Sequence, residues 1–175
     1  MNANIAKPYA NAIFTLAKQE NKLEEWLTIL KIINNAVNNI NFQQLIYSPR
    51  FSKEKFIASI VVSLSNDFNS YITNLLSILF DAKKLNILHN IFILFEKKLN
   101  EHSNILPITI YSAYPIDETT QIKLNQSLSI KFKKKINSII LIDDALIAGI
   151  KIVTNETVLD LSLKGKLNQM LKQLI

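Results

Sequence analysis

The sequence of 175 residues predicts a mostly helical α+β protein, with an N-terminal bundle of six helices followed by a small α+β module. Apolar residues recur at helical spacing from residue 5 to about 102, whereas the period near Asn104 changes to the two-residue alternation of a strand. The later segments are short and rich in β-branched residues. Because 49% of the residues are apolar and 19% are charged, the chain has the balance of a globular protein.

The first two helices are predicted from apolar residues at every third or fourth position. Asn21 is the predicted N-cap of the second helix, with Glu24 as its capping-box partner, and turn chemistry at 38–41 ends that helix. The apolar faces are Tyr9, Ala12, Ile13 and Leu16 in the first helix, and Leu23, Trp26, Leu27, Leu30, Ile33, Val37 and Ile40 in the second.

The second helix also has apolar residues outside its main face. These are Ile29, Ile32 and Ala36. Two interpretations follow: the helix is fully buried in the core, which we favour, or it lines a groove that accepts a partner helix.

Four further helices complete the predicted bundle. A short helix at 42–47 ends before Pro49, because proline disfavours helix in the residue before it. Ser52 is the predicted N-cap of the next helix. The apolar faces of the last three helices are Phe56, Ile57, Ile60, Val61 and Leu64; Tyr71, Ile72, Leu75, Leu76, Leu79 and Phe80; and Leu88, Ile91, Phe92, Phe95 and Leu99.

The α+β module is predicted to start with a strand and a helix. The strand covers 105–111, and Pro107 suits the start of a strand or a sheet edge. Asp117 caps a helix that continues to about Lys133. The apolar side of that helix is predicted to be Ile122, Leu124, Leu128 and Phe132.

Three strands and a closing helix are predicted to complete the module. The strands cover 138–142, 149–153 and 157–161, and Asn155 is expected to take the left-handed conformation of a tight hairpin. The helix has Leu163, Leu167, Met170, Leu171 and Leu174 on one side. It either covers the apolar strands, which we favour because the module is small, or presents this side to a partner.

The residues of common catalytic sites are missing or isolated. The chain has no cysteine, and its two histidines, His89 and His102, have no neighbouring carboxylate cluster and are expected at the surface. With Gly149 and Gly165 as the two glycines, neither phosphate-binding glycine motif can form. The sequence therefore predicts no catalytic, cofactor-binding or metal-binding residue, and no cofactor.

Two charged runs have a structural interpretation and a functional one. Asp143 and Asp144 are adjacent, so on a strand they would point to opposite faces, and a polar turn is favoured over a metal site. The lysines at 133–135 complement the negative end of a helix dipole. A basic helical adaptor that binds nucleic acid through Lys131 to Lys135 stays open as the alternative function, although no aromatic residue is interleaved with the lysines at 133–135 for base stacking.

Three segments resemble the δ subunit of the F-type ATP synthase, the family of the mitochondrial oligomycin-sensitivity-conferring protein. The segment 5–17 is similar to the family's N-terminus. Ile142-Asp143 with 146–150 is similar to its hydrophobic-Asp and small-Gly-hydrophobic signature. Val158-Leu159-Asp160 with 162–167 is similar to its closing Asp-x-Ser-hydrophobic-basic-Gly-basic-Leu run.

The resemblance implies a non-catalytic stator subunit that supports proton-driven ATP synthesis. Residues 1–104 would form a helical bundle that binds the N-terminal helices of α subunits in the catalytic head. Residues 105–175 would form the module that binds the b subunit of the peripheral stalk. No nucleic acid partner is implied.

The expected location follows from the same resemblance and from the absence of membrane signals. No run of residues approaches the roughly 18 apolar residues of a membrane span, and the N-terminal segment lacks the pattern of a secretory signal or transit peptide. We expect a peripheral membrane protein on the cytoplasmic side of the bacterial inner membrane, attached only through the complex. A helical-bundle enzyme would instead need a polar cluster inside the bundle, where the predicted residues are apolar.

Overall fold

The computed structural model describes residues 2–39, 52–62 and 68–173. The chain divides into two compact units, Met1–Leu99 and Asn100–Ile175. The N-terminal unit is helical, and the C-terminal unit contains a four-stranded sheet. The predicted α+β class, mostly α, is confirmed.

Five of the predicted bundle helices are present in the described residues. They are α1 (Asn2–Gln19), α2 (Leu23–Asn38), α3 (Lys53–Val61), α4 (Asn69–Asp81) and α5 (Leu88–His102), with a short 3-10 helix (Leu85–Ile87) before α5. The sixth predicted helix, at 42–47, lies outside the described residues, as do Ile40 and Leu64.

The turn between α1 and α2 differs from the prediction. Asn21 has φ 55°, and the amide of Lys22 donates to the carbonyl of Ala17 at 3.0 Å, which ends α1. The N-cap of α2 is Lys22, with no side-chain hydrogen bond. The predicted capping box of Asn21 and Glu24 is therefore wrong: asparagine tolerates the left-handed conformation, so Asn21 terminates α1 instead of starting α2.

The other predicted cap of the bundle is confirmed. The side chain of Ser52 accepts a hydrogen bond from the amide of Lys55, at the start of α3. This bond satisfies one of the backbone donors that the first turn of a helix leaves unpaired.

The bundle core is apolar and centred on aromatic side chains. Its largest fully buried residues include Trp26, Phe56, Phe68 and Phe95. On α2, Ile29 is buried but Ile32 is exposed. The favoured prediction of a fully buried α2 is therefore wrong, because one side of this helix faces solvent.

The C-terminal unit contains β1 (Ile105–Ser112), α6 (Glu118–Phe132), β2 (Lys135–Ile142), β3 (Ile150–Val153), β4 (Val158–Asp160) and α7 (Leu163–Gln173). The strand order is β2-β1-β3-β4. Strands β1 and β2 are parallel, whereas the β1–β3 and β3–β4 pairs are antiparallel. Since β3 pairs with β1 only from Thr109 onwards, Pro107 lies in the half of β1 that has one neighbouring strand.

Helix α6 covers one face of this sheet. Leu128 packs with Ile108, Ile110 and Ile152 in the buried cluster. Ile122 is 56% exposed, so its predicted place on the apolar side is wrong. It lies two positions before Leu124, which at about 100° per residue turns it away from the face formed by Leu124, Leu128 and Phe132.

The hairpin between β3 and β4 is closed by a threonine. The hydroxyl of Thr154 accepts from the amide of Thr157 at 2.9 Å and from that of Glu156 at 3.3 Å. Among the described residues, positive φ occurs at Asn21, Lys83, Asn104, Lys133 and Gly149. The predicted left-handed conformation of Asn155 is therefore wrong, because the Thr154 side chain supplies the turn's hydrogen bonds.

Candidate partner-binding surfaces

The two histidines lie at the surface, as predicted. Both His89 and His102 are exposed. Nδ1 of His89 is 3.2 Å from Oδ1 of Asn34, which also accepts from Nδ2 of Asn38 at 3.1 Å. In residues 2–39, 52–62 and 68–173, no group of three His, Cys, Asp or Glu side chains could hold a metal ion.

The charged runs have structural roles. The carboxylate of Asp143 accepts from the amide of Ala145 at 3.0 Å, and the carbonyl of Asp143 accepts from the amide of Leu146. The polar turn predicted for Asp143 and Asp144 is confirmed. Lys133 ends α6 in the left-handed conformation at φ 55°, and Lys135 begins β2.

A tyrosine on α4 is linked to the residue that follows α1. The hydroxyl of Tyr71, near the start of α4, donates to the carboxylate of Glu20, just beyond α1, and this hydrogen bond raises the pKa of Tyr71. The 3-10 helix that follows α4 packs against both α1 and α4. The two helices are therefore linked near both ends of α4.

Exposed apolar side chains mark these two helices. Tyr71 and Ile78 are seven residues apart, so they lie on the same side of α4. Ile5 is exposed on α1. We call Ile5, Tyr71 and Ile78 the α1–α4 surface, because these three exposed apolar side chains are of the kind that a partner helix can cover.

In the C-terminal unit, α7 has an exposed apolar stripe. The stripe consists of Leu163, Leu167 and Met170, which are 46%, 48% and 58% exposed. The favoured prediction that this side covers the strands is therefore wrong for these three residues, because α6 fills the covered face of the sheet. The exposed Lys164 and Lys166 lie beside the stripe.

A second apolar patch lies where α7 leaves the sheet. The sheet-end patch consists of the exposed Ile142, Ile147 and Leu161. Backbone hydrogen bonds from Leu161 to Ile150 and from Leu163 to Ala148, both 2.9 Å, hold the start of α7 at this end. The run of four apolar residues at 139–142, which lacks the alternation of a half-buried strand, was the sequence signal for this patch.

Each unit thus has its own core and its own exposed apolar surface, and the described residues have no cluster typical of a catalytic metal centre. Exposed apolar helical surfaces of this kind are typical of proteins that bind other proteins. The family model of the ATP synthase delta (OSCP) subunit matches residues 5–174. The chain belongs to this family.

Relatives and a solved structure agree with the assignment. The chain is 33% identical to ATP synthase subunit delta of Nitrosomonas europaea over 166 residues, which are 95% of this chain and 93% of that protein. It is 31% identical to the subunit delta of Aromatoleum aromaticum over 169 residues, 97% of this chain and 95% of the relative. The fold is similar to a chain in the cryo-EM structure of the Toxoplasma gondii mitochondrial ATP synthase hexamer, with TM-score 0.68, 22% identity, and coverage of 97% of this chain and 96% of that one.

No helix in the described part of the chain is long and apolar enough to cross a membrane.

Proposed function

We propose that this chain is a non-catalytic stator subunit of a bacterial F-type ATP synthase, which links the catalytic head to the peripheral stalk. The main support for this proposal is that two separate units each expose an apolar helical surface. A link between two partners needs two binding surfaces, and a stator must resist torque without a catalytic step of its own. The complex would hold the chain at the cytoplasmic side of the inner membrane.

The α1–α4 surface is the proposed site for the catalytic head. An amphipathic helix from the N-terminus of an α subunit would lie between α1 and α4 and cover Ile5 and Ile78. Full burial of a fully exposed side chain of this size contributes about 1.5–3 kcal/mol, and the partner would supply the part that corresponds to the area still exposed on Ile5 and Ile78. Tyr71 adds a polar edge, because its hydroxyl is held by Glu20 while its ring lies 6.1 Å from that of Trp26.

The α7 stripe and the sheet-end patch are the proposed site for the b subunit. Leu163, Leu167 and Met170 provide an apolar strip at helical spacing. No acidic residue lies in α7, whereas Lys164 and Lys166 are exposed beside the strip. A partner helix with acidic residues flanking its own apolar stripe therefore has the complementary charge.

Calorimetric titration of the full chain tests this division. We expect a synthetic helix from the N-terminus of the α subunit and a C-terminal segment of the b subunit to bind at the same time, each with unchanged affinity in the presence of the other. A chain truncated after Ser162 should lose the b segment and keep the α helix. Competition between the two segments for one surface would refute the proposal.

Charge reversal tests the stalk site without touching the core. Lys166→Glu should weaken binding of an acidic b segment about tenfold, a change of about 1.4 kcal/mol. Lys131→Glu, on the exposed side of α6, is the matched control and should leave binding unchanged. Equal effects of the two variants would show a general charge effect and contradict the assigned surface.

A further inference from the structure

A carboxylate links the end of β4 to the start of α7. Oδ1 of Asp160, the last residue of β4, accepts from the amide of Ser162 at 2.9 Å and from its hydroxyl at 2.6 Å. The hydroxyl oxygen of Ser162 in turn accepts from the amide of Gly165 at 3.0 Å. Ser162 is buried. A continuous chain of hydrogen bonds therefore runs from the strand into the first turn of the helix.

Gly165 lets the carboxylate sit against the helix. A Cβ at position 165 would be 2.7 Å from both Cγ and Oδ2 of Asp160, closer than real Cβ contacts. The Asp160 side chain therefore occupies space that any other residue at 165 would fill. In this way the carboxylate packs against the first turn of α7 on the side that contains Gly165.

Backbone hydrogen bonds that do not involve Asp160 also hold Leu161 and the first residue of α7, Leu163. The amides of Leu161 and Leu163 donate to the carbonyls of Ile150 and Ala148. Lys151 is paired with Asp160 across the β3–β4 ladder. The hydrogen bonds from Ser162, with a smaller contribution from the charge of Lys151, lower the pKa of Asp160, so the carboxylate is ionised and accepts hydrogen bonds at neutral pH.

We propose that Asp160 is a positioning residue for stalk binding: through Ser162 and Gly165 it fixes the direction in which α7 leaves the sheet. The proposal rests on the proposed function of the α7 stripe. Without the carboxylate, α7 keeps its sequence and its apolar side but samples many directions. The partner must then select one of them, which reduces its apparent affinity by the fraction of competent chains.

Spin-label distances measure this direction in the free chain. Because the sequence has no cysteine, Met170→Cys and Ile130→Cys give a clean labelled pair on α7 and α6. We expect a narrow distance distribution in the parent chain and in Asp160→Asn, whose side-chain oxygen still accepts from Ser162. Asp160→Ala should broaden the distribution, and Asp144→Ala is the matched control that should not. An equally narrow distribution in Asp160→Ala would overturn the proposal.

Gly165→Ala gives a second test that removes no hydrogen-bonding group. The added methyl displaces the Asp160 carboxylate, so the same distribution should shift or broaden. If Asp160→Ala does not fold, as judged by circular dichroism, the Gly165→Ala variant alone tests the proposal. An unchanged distribution in Gly165→Ala would then overturn the proposal.

Binding of the b segment, measured with unlabelled chains, separates this proposal from the proposed function. We expect Asp160→Ala to bind about tenfold more weakly and Asp160→Asn to bind like the parent chain. If the parent chain does not bind the segment, the proposed function is wrong and the distance distributions alone decide the role of Asp160. If Asp160→Ala has a broad distribution but full affinity, direction does not govern binding and the proposal is wrong.

Discussion

Trp26 and Phe68 meet edge to face in the bundle core, with ring centroids 5.5 Å apart and planes at 88°. This geometry directs the positive edge of one ring at the negative face of the other. Trp26 lies on α2 and is 1% exposed, and it also contacts the ring of Tyr71 on α4. The buried indole is therefore next to the α1–α4 surface and can report on binding there.

Removal of the Trp26 ring should destabilise the bundle strongly. We expect Trp26→Ala to lower the free energy of unfolding by about 3–5 kcal/mol, since it leaves a large cavity. The Trp26 Nε1 donor is buried without a hydrogen-bond partner among the described residues. Trp26→Phe keeps a ring against Phe68 and removes that donor, so it should cost much less. Chemical denaturation followed by circular dichroism checks both, and equal losses would contradict this packing.

The α1–α4 surface should be sensitive to a buried charge. Ile78→Asp should weaken binding of the α-subunit helix by about tenfold or more while leaving the thermal unfolding midpoint nearly unchanged, because Ile78 is exposed in the free chain. Ile130→Asp, an exposed isoleucine on α6, is the control. Titration followed by Trp26 fluorescence or calorimetry checks the difference, and full binding by Ile78→Asp would place the site elsewhere.

Asp117 should titrate with a low pKa. Hydrogen bonds from the hydroxyls of Thr119 and Thr120 and from the amide of Thr120 lower its pKa from 3.8 to about 2. Since the folded pKa is the lower one, the cap stabilises α6 fully above pH 3.8 and loses this effect as the pH falls towards 2. NMR titration of the carboxyl carbon measures the pKa directly. A value near 3.8 would show that the cap is absent in solution.

Gly149 should not tolerate a side chain. It has φ +91°, and an added Cβ would be 2.6 Å from the carbonyl oxygen of Leu161, which is backbone and cannot rotate away. We expect Gly149→Ala to cost more than about 2 kcal/mol of stability. Gly165→Ala, which meets only a side chain, should cost less. Thermal unfolding of the two variants checks the order, and the reverse order would contradict the geometry at the start of β3.

Residues 1–104 should fold as an isolated fragment. The bundle core lies within Met1–Leu99, and α5 ends at His102, so the fragment retains the described helices of the bundle. We expect a cooperative thermal transition by circular dichroism and binding of the α-subunit helix with the affinity of the full chain. A fragment without helical signal would contradict the two-domain division.

The positions of the helices were predictable because each helical segment has apolar residues at helical spacing. The N-caps Ser52 and Asp117 were predictable because their side chains accept hydrogen bonds from residues within one turn. The conformations of Asn21 and Asn155 were not predictable. Asparagine tolerates a left-handed conformation, but the hydrogen bonds of the turn decide whether it adopts one. In the turn that contains Asn155, the hydroxyl of Thr154 accepts the hydrogen bond from Thr157, and Asn155 does not adopt the left-handed conformation.

The exposure of the α7 stripe was also not predictable from the sequence. An amphipathic helix has the same pattern whether it covers a sheet or presents its apolar side to a partner. The outcome depends on which helix already occupies the face of the sheet, and here α6 does so through Leu128. The α1–α4 surface has the same origin, because it is defined by two helices distant in sequence.

In the proposed function, one chain holds two partners through its two units. The most direct measurement is a pull-down from detergent-solubilised bacterial membranes at moderate salt, with tagged full-length, Ile78→Asp and 1–162 chains. We predict that the full chain captures both α and b subunits, that Ile78→Asp captures less α than the full chain does, and that 1–162 loses b but keeps α. Undiminished recovery of the b subunit by the 1–162 chain would contradict the account.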